Sequence, residues 1–158
     1  NHEWIKKFKV EDLRLKVRDV LENKAIQAND DNYLDEVIGL IKDRCTLLTD
    51  FYDQGHFFFK APAEWDIESV KPKWNADKKD FFQGLIEEFD ALQDWQSAFI
   101  ESAFKTIAAS KNIKPGELQL PFRIMLVGGK FGPPVFDIAA LIGREETNRR
   151  IINALEQF

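Results

Sequence analysis

The sequence predicts an all-α protein built from two small helical bundles. Apolar residues recur at spacings of three and four, and no long run of strict alternation appears. A stretch from Gly55 through Pro62 to Pro72 then breaks the helical pattern in mid-chain. The expected division is residues 1–56 as the first bundle, 57–74 as a linker and 75–158 as the second bundle.

In the first bundle, Val10, Leu13, Val17, Val20 and Leu21 form one stripe. Asp30 or Asp31 is placed to cap a second helix carrying Leu34, Val37, Ile38 and Ile41. A short third helix is predicted from Leu47 through Phe51 and Tyr52. In the second bundle, Asn75 caps a helix with Phe81, Phe82, Leu85, Ile86, Phe89 and Leu92 inside. Asp94 is expected to cap the next, with Trp95, Phe99, Ala103 and Ile107 at core spacing. "NIKPG" turns the chain into a helix that contains Pro121 and ends at Gly128 and Gly129, because glycine supplies the left-handed conformation after a helix. Pro134 opens a helix that stops at Gly143, and Arg144 to Leu155 forms the last.

At 158 residues with 44% hydrophobic residues, the chain is long enough to bury a core and too apolar for disorder. Its single cysteine, Cys45, excludes an internal disulfide and suits a reducing compartment. No apolar run approaches the roughly 18 residues of a membrane span. "NHEWIKKFKVEDLRLKV" lacks the apolar region of a signal peptide. A soluble, cytoplasmic domain with no membrane partner is expected.

The net charge of −5 is segregated. Residues 1–24 carry seven Lys+Arg against five Asp+Glu, residues 25–104 seven against seventeen, and residues 105–158 eight against five. A mildly basic end permits a local polyanion site, since screening limits each charge to about 10 Å. Solvated helix faces account for the same pattern.

"VGGKFGPP" places Lys130 after a glycine pair, where bound phosphate is commonly sought. A phosphate loop needs an earlier glycine, a Ser or Thr after the lysine and a preceding strand, and none is present. His2, His56 and Cys45 cannot assemble a zinc site, and "DDNYLDEVIGLIKD" lacks the glycine and closing glutamate of a calcium loop. Cys45 and His56 have no evident orienting partner, so Cys45 reads as a small core residue. Phe57, Phe58 and Phe59 beside Lys60 have the composition of a base-stacking platform, or of a plug between two bundles.

Several stretches together resemble the C-terminal part of bacterial glutamyl-tRNA synthetases, which are class I aminoacyl-tRNA synthetases. The likeness lies in Pro121-Phe122-Arg123, Val127-Gly128, Pro133-Pro134-Val135, Leu141-Ile142-Gly143 and Glu146 through Arg150-Ile151. "NHEWI" at the start and "LIKDRCTLLTDF", which includes Arg44, extend the resemblance over essentially the whole chain. It implies a helical cage of the class I anticodon-binding type, serving as the anticodon-binding half alone. The His-Ile-Gly-His and Lys-Met-Ser-Lys-Ser motifs of the catalytic half are absent from the 158 residues. The chain is therefore expected to bind glutamate tRNA without charging it. No cofactor is expected here, ATP and magnesium belonging to a catalytic domain in cis, and the protein is expected to be monomeric.

By the same resemblance, Arg123, Gly132, Pro133 and Val135 face the first two anticodon bases, and Arg44 faces the third, a cytosine. A guanidinium carries only donors, which suits cytosine O2 and N3. The family often has a hydroxyl residue where this chain has Gly132, so only backbone acts at that position. A protein–protein scaffold using the acidic middle is the competing expectation, with Arg44 in an ion pair with Asp43 or Asp50 and Arg123 capping carbonyls of its own bundle.

Overall fold

The computed structural model describes residue 5 and residues 7–158, and among them the regular structure is entirely helical. The resemblance of the opening "NHEWI" therefore lies almost wholly outside the described residues. The chain divides into two compact units, one up to Lys60 and one from Ala61 to Phe158.

The first unit contains α1 (Val10–Glu22), α2 (Asp31–Ile41) and the short α3 (Asp50–Gly55), with 3₁₀ turns at Lys42–Arg44 and His56–Phe58. Leu13, Val17 and Leu21 of α1 are buried, as are Leu34, Val37, Ile38 and Ile41 of α2. Asp30 caps α2, its carboxylate accepting from the Tyr33 N–H at 3.1 Å. Two arginines clamp α1 to α2. Arg14 Nε donates to Asp35 Oδ1 at 2.8 Å, and Arg18 pairs with Asp31 while donating through Nε to the Ala28 carbonyl at 2.8 Å. The Arg14 bond holds the Asp35 carboxyl below its usual range.

The third helix starts at Asp50, not at Leu47 as its apolar residues suggested. The Asp50 carboxylate accepts from both the Thr46 and Leu47 N–H groups at 2.9 Å, which folds 46–49 into a turn ahead of the helix. Phe57 and Phe58 lie buried in this unit with their rings 4.8 Å apart, and Tyr33 Oη donates to the Phe58 carbonyl at 2.7 Å. Rings so placed are not open to a nucleobase.

The second unit holds α4 (Ile67–Val70), a 3₁₀ turn at Lys71–Lys73, α5 (Ala76–Ala91), α6 (Ser97–Ser110), α7 (Pro115–Val127), α8 (Val135–Ile142) and α9 (Arg144–Leu155). The boundary at Lys60 falls inside the stretch expected to be a linker, and the residues after it are folded. Asp66 caps α4 by accepting from Ser69, and its own N–H donates to the Gly128 carbonyl at 2.9 Å. Asn75 caps α5, accepting from the Lys78 N–H at 2.9 Å. The core is aromatic. Phe81, Phe82, Phe89, Phe104 and Phe122 are fully buried, with Phe81–Phe104 and Phe104–Phe122 ring centroids 5.0 and 5.3 Å apart.

One register differs from expectation. Helix α6 begins at Ser97 after Gln96, and buries Ile100, Ala103, Phe104 and Ala108, while Phe99 is exposed. Asp94 does not cap it. Trp95 precedes the helix, where its indole N–H donates to the Ala139 carbonyl at 2.9 Å and its ring lies under the Arg144 guanidinium. With Trp95 held outside the helix, the buried stripe turns onto Ile100 and Phe104.

Candidate functional site

Helix α7 runs through Pro121 to Val127 and stops because Gly128 adopts φ 86°, its N–H returning to the Ile124 carbonyl at 2.8 Å. A Cβ at Gly128 would stand 2.8 Å from the Glu64 carbonyl oxygen and 3.0 Å from Pro62 Cβ. Glycine is required there twice over, by dihedral angle and by the close approach of residues 62–64. The glycine pair thus sits at the C-terminal, electronegative end of a helix, the wrong end for a phosphate.

The loop from 128 to 134 is fixed at both ends. The Gly128 carbonyl accepts from Asp66, as above. At the other end Arg123 Nη1 donates to the Pro133 carbonyl at 2.8 Å, so α7 braces the entrance to α8 from within the same unit. Gly132 has φ 150°, in a region that favours glycine. Pro133 is buried and Val135 is 3% exposed. Both residues are packed into the second unit. Between them Lys130 is exposed and Phe131 is 82% exposed, the most exposed large apolar side chain among the described residues.

Of the expected site residues, Arg123, Gly132, Pro133 and Val135 come together in this loop and its supports. Arg44 belongs to the first unit. It is exposed at the end of the 3₁₀ turn that follows α2, and it forms no ion pair with Asp43, Asp50 or any other described residue. Asp50 is already occupied by the Thr46 and Leu47 amides, chiefly Leu47, and these hold its carboxyl below the usual range. The same two bonds fix the turn directly after Arg44.

Several basic residues of the C-terminal stretch already have partners within the chain. Arg150, 3% exposed, donates to the Leu126 carbonyl at 2.8 Å and pairs with Glu146, satisfying the end of α7. Arg144 donates to the Leu92 carbonyl, and Arg149 pairs with Glu145 and Glu146. The role of Arg150 was missed at sequence level, although Glu146 and Arg150 stand four residues apart on one helix face, a spacing that signals a pair. Asp66 carried no comparable signal, because its partner Gly128 is remote in sequence.

Cys45 is buried beside the Ile41 carbonyl, and burial pushes its thiol up to about 12, as a structural cysteine requires and a nucleophile does not. Among the described residues, no group of three or more His, Cys, Asp or Glu could hold a metal ion, and no helix is long and apolar enough to cross a membrane.

A family profile described as an anticodon binding domain matches residues 6–155. The chain is 37% identical over 136 residues to a glutamate–tRNA ligase of Christiangramia forsetii, covering 86% of this chain and 27% of that protein. It is 35% identical over 156 residues to one of Phocaeicola vulgatus, covering 99% and 31%. Among solved structures, a glutamate tRNA ligase from Elizabethkingia meningosepticum superimposes with a TM-score of 0.89 at 31% identity, over 99% of this chain and 31% of that one. A glutamate-tRNA synthetase from Elizabethkingia anophelis gives 0.82 at 32% identity, over 98% and 30%. The chain thus spans less than a third of the length of these relatives.

Proposed function

The chain belongs to the anticodon binding domain family, and from that premise we propose that it reads the anticodon loop of glutamate tRNA for a glutamate–tRNA ligase. The observation that carries this reading is the braced loop: Asp66 holds the Gly128 carbonyl and Arg123 the Pro133 carbonyl, which fixes the main-chain groups of residues 129–132 between them. Unpaired bases splayed from an RNA loop present Watson–Crick edges to such groups. The N-terminus of α8 adds N–H donors that have no intrahelical partner. Arg44, exposed and without an ion pair, is the candidate reader of the third base.

The ligase reaction is assigned to the whole protein and not to this chain. ATP and magnesium are assigned with that reaction to the whole protein. Action in the cytoplasm as a monomer accords with this role. The scaffold alternative receives no support from the relatives, which are named as tRNA ligases.

The test is a titration of the chain with the glutamate-tRNA anticodon stem-loop and with a version carrying G at the third anticodon base. Discrimination on the order of 5- to 150-fold is expected, falling in Arg44→Gln, if an arginine–cytosine contact resembles base contacts in DNA in strength. Affinity should decrease steeply with salt as phosphate contacts release counterions. Equal binding of the two loops by the wild-type chain would refute base reading at Arg44.

A further inference from the structure

The exposed ring of Phe131 is left unexplained by the main-chain reading of this loop. Its neighbours Pro133 and Val135 are buried, whereas Phe131 is 82% exposed and forms no ring contact with any described residue. An apolar side chain on a loop tip loses the burial that usually accounts for an aromatic residue. Flexible collapse onto the surface is resisted, because the loop is held at Gly128 by the Asp66 N–H and at Pro133 by Arg123. Lys130 beside it is exposed and makes no ion pair with a described residue. A free aromatic face next to a free cation, on a loop with fixed ends, is the arrangement that stacks a base while meeting its phosphate.

We propose that Phe131 is a stacking platform for one unpaired nucleobase of the bound RNA loop, with Lys130 contacting the adjoining phosphate. This rests on the anticodon-loop reading and adds a residue to it. Stacking is tolerant of base identity, since every base has a π-face, so Phe131 supplies affinity while main-chain groups and Arg44 supply discrimination. Cost in the free state falls on solubility, not on the core, so the ring can be exchanged without unfolding the domain.

The experiment is fluorescence-anisotropy titration of the glutamate-tRNA anticodon stem-loop with the wild-type chain, Phe131→Ala, Phe131→Leu and Phe131→Trp, with thermal melts of each. A parallel set replaces the first anticodon base by 2-aminopurine, whose emission changes when it stacks. Phe131→Ala and Phe131→Leu are expected to weaken binding by about 5- to 150-fold with unchanged melting, and Phe131→Trp to restore it. The 2-aminopurine response should shrink in the Ala and Leu variants only. If the wild-type chain binds and Phe131→Ala or Phe131→Leu binds equally well, the stacking role is overturned while the anticodon-loop reading stands. If the wild-type chain does not bind the stem-loop at all, both fall.

Discussion

Two arginines of similar sequence appearance have different physical situations. Arg123 is half-buried and donates to Pro133, so its loss costs a charge-assisted bond as well as the loop's brace. Arg123→Ala is expected to lower stability by about 1–2 kcal/mol and to weaken RNA binding together with it. Arg44 is exposed and has no ion pair to lose, so Arg44→Ala should leave stability within about 0.5 kcal/mol of wild type while binding falls. Paired thermal melts and stem-loop titrations separate the two cases; equal stability loss in both variants would contradict the assignment. Cys45 belongs to the core, and its thiol, raised to about 12 by burial, should resist iodoacetamide at pH 8 until denaturant is added. The sequence carried the identity of these residues well. What it could not carry was that Val135 and Pro133 are buried and Phe131 exposed, since that depends on contacts such as Arg123 to the Pro133 carbonyl.

Elements were legible where a local signal fixed their ends. Asn75 and Asp30 cap the helices they precede, and Gly128 and Gly143 end theirs, all by contacts within a few residues. Helix α6 was read one face away because its apolar residues cover most of its circumference, and only the remote Trp95–Ala139 bond decides the start. Gly128 provides the sharpest element-scale prediction. Gly128→Ala combines a positive φ, worth about 1–2 kcal/mol, with a Cβ 2.8 Å from backbone, and should lower the melting temperature by several degrees. A melt unchanged from wild type would show that the loop's fixed geometry is misassigned. In the first unit, Asp35 and Asp50 have folded-state carboxyls below their unfolded values, through Arg14 and the Leu47 amide respectively. Their contribution is present above the unfolded carboxylate pKa of about 4 and is lost as pH falls through the depressed folded values. Asp50→Asn should therefore be less stable than wild type at pH 6, and the difference should vanish on acidification, as melts across that range would record.

For the whole molecule, net charge is a poor guide to the partner. The chain carries −5 overall, and several of its C-terminal basic residues are spent on internal carbonyls and carboxylates. On the proposed reading, binding rests on a few placed groups: Arg44 in one unit and the loop from Gly128 to Val135 in the other. The most direct measurement is amide NMR shift mapping of the labelled chain during addition of the glutamate-tRNA anticodon stem-loop. The largest shifts are expected on the backbone amides of residues 43–47 and on Gly129, Lys130, Phe131, Gly132 and Val135. Shifts confined to other surfaces, such as the exposed faces of α5 and α9, would contradict that reading.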